Sequence, residues 1–148
     1  MKQTYRVLAG LVALGVLVQA GSVAFGWFKT LNDLDSGALK SVDKNFDGNV
    51  GHLIHSIDGQ AVIPIIGLIL LIVSFFAAKS VPQARKWAGI IFGLIVLQVV
   101  LAFIGFGVPV IGALHGINAL FLLGAAVRAM GLTSQPVAVQ PETAGVPA

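Results

Sequence analysis

Ile63-Pro64-Ile65-Ile66-Gly67-Leu68-Ile69-Leu70-Leu71-Ile72-Val73-Ser74-Phe75-Phe76-Ala77-Ala78 runs without a charged side chain and stops at Lys79. Carried back to Leu53, it covers the roughly 30 Å of bilayer hydrocarbon, which takes about 20 helical residues at about 1.5 Å each. Three comparable stretches surround it, from Val7 to Phe28, Trp87 to Ile104 and Val108 to Met130. Backbone groups in lipid must be satisfied within the chain, and no ten-residue barrel alternation is present, so each stretch reads as helix. The composition agrees, with 57% hydrophobic and 10% charged residues and a mean hydropathy of +0.94. A chain of 148 residues then builds one small all-α domain over residues 1–130, a four-helix transmembrane bundle running up-down-up-down.

The charges orient that bundle. Lys2 and Arg6 precede the first span, Lys79, Arg85 and Lys86 crowd the short second loop, and Arg128 ends the fourth span. These six mark the cytoplasmic side, with both termini on it, as expected for a multi-pass protein of a bacterial inner membrane. In the polar loop over residues 29–51, Lys29, Lys40 and Lys44 are offset by Asp33, Asp35, Asp43 and Asp47, as expected outside. Loops expected over 79–86, with Pro82, and over the glycine-rich 105–107 are short, which makes neighbouring helices antiparallel. Met1 to Gly21 also carries signal-peptide features, with Val18-Gln19-Ala20 before Gly21, but the apolar run continues to Phe28 and completes a span. Residues 131–148 turn to Thr, Ser, Gln, Pro and Ala and read as a disordered cytoplasmic tail.

Absent residue types narrow the chemistry. Without cysteine, disulfides, iron-sulfur clusters, thiolate ligands and covalent haem attachment are excluded. No basic stripe interleaved with aromatics points to nucleic acid. No Ser-His-Asp set, Walker loop or paired catalytic carboxylates appears, so the sequence leans away from an enzyme.

What remains is a doubled motif. His55-Ser56-Ile57-Asp58-Gly59 and His115-Gly116-Ile117-Asn118-Ala119 both read His-x-Ile-acid/amide-small, near the starts of the second and fourth spans. Upstream, Gln19 and Phe25-Gly26 find counterparts in Gln98 and Phe106-Gly107, giving a weak two-plus-two internal repeat. Polar groups in a span are costly and mark sites. In the bundle the second and fourth helices are parallel diagonal partners, so His55 and His115 share the outer half. The diagonal is roughly 13 Å, too far for direct contact between imidazoles. A b-type haem with one imidazole on each face of its iron fills such a gap. Gln19, Gln98, Asp58 and Asn118 are then second hydrogen bonders. Two alternatives stay open: structural histidines satisfied by those same four residues, and another metal or a proton pathway. A common depth also needs the fourth helix to pass Met130 or the second to begin outside the hydrocarbon, since His55 lies 24 residues before Lys79 and His115 15 before Met130.

Leu97-Gln98-Val99-Val100-Leu101, through Pro109 to His115-Gly116-Ile117-Asn118-Ala119, resembles the third and fourth helices of one half of heme A synthase. That family joins two similar four-helix halves, each with histidines on its second and fourth helices, and small bacterial four-span proteins look similar. The resemblance spans residues 7 to 130 and implies His55 and His115 as axial ligands. The family's acidic residue three positions before its first such histidine is His52 here, and the arginine after that histidine is Ser56. With a single half and no outer-loop cysteine pair, haem hydroxylation is not expected, which leaves electron transfer or haem handling with a membrane redox partner. A cofactor-free accessory subunit is the rival.

Smaller motifs complete the inventory. His52 and His55 at i,i+3 could share a helix face as a zinc or copper pair, with Asp58 as third ligand. Asp43-Lys44-Asn45-Phe46-Asp47-Gly48 opens like a calcium loop, but position twelve is Ile54, so an Asx-rich turn is the better expectation. Gly89-x-x-x-Gly93 and Gly112-x-x-x-Gly116 have helix-packing spacing. Trp27 and Trp87 fit interfacial belts.

Overall fold

The computed structural model describes residues 1–43 and 45–134. They form α1 (Lys2–Asp35), α2 (Val50–Ile57), a π-helical segment (Asp58–Val62), α3 (Ile63–Ala77), α4 (Ala84–Gly107) and α5 (Pro109–Leu132). The second span is α2, the π segment and α3 in one unbroken run, which gives four helices long and apolar enough to cross a membrane. They close a ring: α1 packs on α2, α3 and α5, α3 on α4, and α4 on α5. The chain is thus a four-helix bundle of multi-pass membrane type.

Helix ends differ from expectation for local reasons. α1 continues seven residues past Phe28, because Lys29 bridges to Asp33 at 2.8 Å one turn on and the Thr30 hydroxyl donates to Gly26 O. The chain turns only at Ser36-Gly37, where Gly37 takes φ +75. Gly105 and Gly107 do not form a turn. They stay helical, and the break falls on Val108 alone, which Pro109 forces out of helical geometry (φ −134, ψ 89). α5 runs to Leu132, two residues into the expected tail, whose remainder from 135 lies outside the described residues.

The tightest packing lies toward the turn at residues 78–83. Tyr5, Ala9, Val12 and Val16 of α1 meet Leu70 and Ala77 of α3, Ala88 and Ile91 of α4, and Leu122 and Ala126 of α5. Tyr5 is fully buried and its hydroxyl donates to Ala84 O at 3.2 Å. Toward the other end each hairpin stays zipped on itself while the hairpins part. A Cβ on Gly51 would lie 2.6 Å from Gly26 N, and one on Gly105 3.0 Å from Gly112 Cα. No residue of α4 beyond Ile95, and none of α5 before Asn118, is buried. The spacing motifs predicted otherwise. Gly89, Gly93 and Gly116 have open space where a Cβ would go, and of those four glycines only Gly112 touches another helix.

The π segment has a cause and an effect. A proline at 64 lacks the N–H for Gln60 O and would clash with it in α geometry, so the turn before it widens. The extra residue changes which face His55 presents. In a continuous α-helix Gly67 would sit about 120° around from His55, but absorbing one residue reduces this to about 20°. His55 therefore joins the inward stripe of Ile63, Gly67 and Leu70. α5 reaches the same alignment with plain α geometry.

Candidate functional site

At the parting of the hairpins the doubled motif becomes a doubled structure. On the first hairpin the Gln19 amide donates to His55 O at 2.8 Å, while His55 Nδ1 lies 3.0 Å from Gln19 O. On the second the Gln98 amide donates to His115 O at 3.0 Å, and His115 Nδ1 lies 3.0 Å from Gln98 O. Each pair is a reciprocal clasp between adjacent helices. The carbonyl oxygens can only accept, so each Nδ1 carries a proton, the tautomer that in a neutral ring leaves the lone pair on Nε2. Neither Nε2 has a hydrogen-bond partner among the described residues.

The fourth motif position matches too. Asp58 Oδ2 accepts from the Gln19 amide at 3.0 Å, and the Asn118 amide donates to Gln98 Oε1 and, at 3.0 Å, to Leu94 O. All six residues expected at the site are therefore together. Their roles differ from expectation, because backbone carbonyls orient the imidazoles, and the Gln, Asp and Asn side chains secure the helix backbones around them.

The two rings face each other across the bundle with centroids 6.2 Å apart and planes at 60°. The expected 13 Å was an axis-to-axis distance, and both side chains reach inward from it. Their common depth is obtained because the second span runs 22 residues beyond His55, to Ala77, and the fourth 17 beyond His115, to Leu132. The difference of five residues, about 7.5 Å, is taken up at the tight-turn end.

A cleft of about 490 Å³ opens beside the pair between α1, α2 and α4. Its walls include Trp27, Leu53, His55, Gln98, Phe103 and Phe106, and His115 does not line it. That volume is in the range of small-molecule and cofactor sites. Below lies a void of about 30 Å³ touching both Gln19 and Gln98, room for about one water.

His52 stands apart from this pair. Its Nδ1 accepts the Asn49 N–H at 3.2 Å, half of a capping box that starts α2, and its ring packs edge-on against Trp27 at 5.1 Å and Phe46 at 5.8 Å. The proton is consequently on Nε2, which is buried with no partner. Among the described residues no three His, Cys, Asp or Glu side chains group to hold a metal ion, so His52, His55 and Asp58 do not form a zinc-type set. Asp43 closes an Asx turn with Asn45 N–H at 2.8 Å, and Asn49 caps α2 while its amide reaches Gly26 O at 2.8 Å. Trp87 sits under Arg128 at 5.9 Å, at the opposite end from Trp27.

Sequence reasoning missed the π segment and the capping role of His52. Pro64 inside a continuous span was the available signal for the first, and none existed for the second. Compared with known proteins, the chain matches no family model, and no curated protein or solved structure is detectably similar to it. The class is set by the molecule itself: a four-span membrane bundle with two clasped histidines facing across its axis.

Proposed function

We propose that the chain binds one b-type haem between His55 and His115 and serves electron transfer or haem handling in a bacterial inner membrane. The observation that carries this is the spacing of the imidazoles. With metal–nitrogen bonds of about 2.0–2.1 Å and roughly 1.1 Å from nitrogen to ring centre, two trans imidazoles place their centroids about 6.3 Å apart. The 6.2 Å between the two ring centroids matches that value. The donor set fits as well. Both Nε2 lone pairs are unengaged, and each opposite Nδ1–H is fixed on a carbonyl, the usual way a metal-binding histidine is held in one tautomer. Gly116, next to His115, has open space at its Cβ position, and the cleft lies against His55.

When bound, such a haem supplies a one-electron centre. The protein's part is to present two imidazoles through Nε2, hold them by the Gln19 and Gln98 carbonyls, and keep bulk water out with the packed core below. Two protein ligands favour outer-sphere transfer to a membrane partner over chemistry at the metal. The positive-inside charge pattern supports placing both termini in the cytoplasm and the haem near the outer leaflet.

Purification in mild detergent tests the proposal against a cofactor-free accessory subunit. A Soret band and an alpha band that sharpens with dithionite are expected, and in His115→Ala and in His55→Ala this spectrum should be replaced by that of high-spin haem or be lost. A colourless wild-type protein that also fails to take up added haem would leave the accessory-subunit reading.

A further inference from the structure

The two clasps leave over one hydrogen-bonding group of each kind. The Gln19 amide spends both hydrogens, on His55 O at 2.8 Å and Asp58 Oδ2 at 3.0 Å, while its Oε1 accepts from nothing among the described residues. Gln98 is the reverse. Its Oε1 takes the Asn118 amide and one of its hydrogens goes to His115 O at 3.0 Å, so the second hydrogen has no acceptor among the described residues. These bonds also fix which end of each carboxamide is oxygen, because a flip of either would set oxygen against oxygen. Both side chains line the void of about 30 Å³ under the imidazole pair. Gln19 Oε1 lies on its Gly59 side, 3.1 Å from where a Cβ on that glycine would be. The rest of the lining, from Val16 on α1 to Leu122 on α5, carries no charge.

We propose that this void is a binding site for a single water molecule, which donates to Gln19 Oε1, accepts from the Gln98 amide and so joins the two clasps. The occupant has to give one hydrogen bond and take another within the space of about one water. A cation would meet the Gln98 N–H and an anion the Gln19 oxygen, so neither suits the pair. A bridging water is nearly as favourable as a direct bond, whereas a donor left without any partner inside the bundle is costly. The bridge falls where the hairpins part. Among the described residues the one side-chain hydrogen bond between the hairpins runs from Tyr5 to Ala84 O, near the opposite end. The water therefore supplies a second polar tie, and the chain Asp58–Gln19–water–Gln98–Asn118 crosses the bundle just below the imidazoles. The site is complete in the haem-free protein and stands whether or not a porphyrin binds above it.

The test is water-to-amide cross-relaxation in the full-length haem-free protein, labelled with nitrogen-15 glutamine and held in detergent. The Gln98 side-chain amide should show cross-peaks to water whose laboratory-frame and rotating-frame signs are opposite, the mark of a held water rather than a passing one. Two variants fill the void from different helices. Ala119→Val should abolish the peak while the Nδ1–H signals of His55 and His115 persist, which shows that the clasps are intact. Val16→Ile, the milder change, should weaken the peak in the same direction and serves if the valine variant does not fold. No held-water peak at Gln98 in wild type overturns the site. A peak undiminished by filling the void overturns it too, because the contact would then be with water in the cleft, which Gln98 also lines. Either failure leaves the haem reading untouched, just as a colourless protein would leave the water site untouched.

Discussion

Replacing Gly51 with alanine places a methyl group where α1 leaves none. Its Cβ would lie 2.6 Å from Gly26 N and Ser22 O and 2.7 Å from Gly26 Cα. All three are backbone atoms of a packed helix, so no side chain can swing aside. Ordinary contact begins near 3.4 Å, so α1 and α2 must separate by about 0.8 Å. Overpacking of this kind costs about 1–3 kcal/mol. It also stretches the clasp: carried along the same direction, the His55 Nδ1 to Gln19 O distance would grow from 3.0 Å to about 3.8 Å, beyond hydrogen-bond range. Gly51→Ala should thus lower stability by about 1–3 kcal/mol in a mixed-micelle unfolding titration followed by helical circular dichroism, and loosen haem binding. Gly112→Ala is the control, because its Cβ would meet only Gly105 Cα, at 4.0 Å, and should change stability by less than about 0.5 kcal/mol. Gly51→Ala unfolding like wild type, or Gly112→Ala proving the more damaging of the two, would refute the argument from close helix approach.

Two further outcomes follow from the geometry. Deleting Ala61 turns the π segment into α-helix and keeps His55 on the inward stripe, so the haem spectrum should survive, whereas inserting one alanine after Ala61 rotates His55 by about 100° and should abolish it; equal spectra from both variants would remove the proposed role of the π segment. The absence of cysteine allows single reporters, and a membrane-impermeant maleimide on intact cells should label Ser41→Cys but not Ser134→Cys, with the reverse pattern inverting the proposed topology.

The four spans were legible because uninterrupted apolar length is a coarse signal that packing does not alter. Their ends were less so. α1 outran its apolar stretch on the strength of the Lys29–Asp33 pair and the Thr30 back-bond, and α4 passed through two glycines because the break belonged to the residue before Pro109. Glycine spacing misled for a related reason. Gly89 and Gly93 have the right separation but face outward, whereas the contacts that matter join Gly26 to Gly51 and Gly105 to Gly112, pairs from different helices that no single-helix pattern displays. The site was legible as a set of residues: the doubled pentads and their upstream glutamines identify all six members of the clasps. What sequence could not supply was the division of labour. That main-chain carbonyls hold the rings while side chains hold the main chain depends on the rotation of each helix, and for the second span that rotation is set by Pro64 and the widened turn before it.

The most direct measurement is the electron paramagnetic resonance spectrum of the oxidised, haem-loaded protein beside His55→Ala and His115→Ala. Two imidazoles on one iron should give a purely low-spin ferric signal in wild type, replaced by a high-spin signal or lost altogether in each single variant. A high-spin wild-type signal, or a low-spin signal that persists when either histidine is removed, would contradict the clasp.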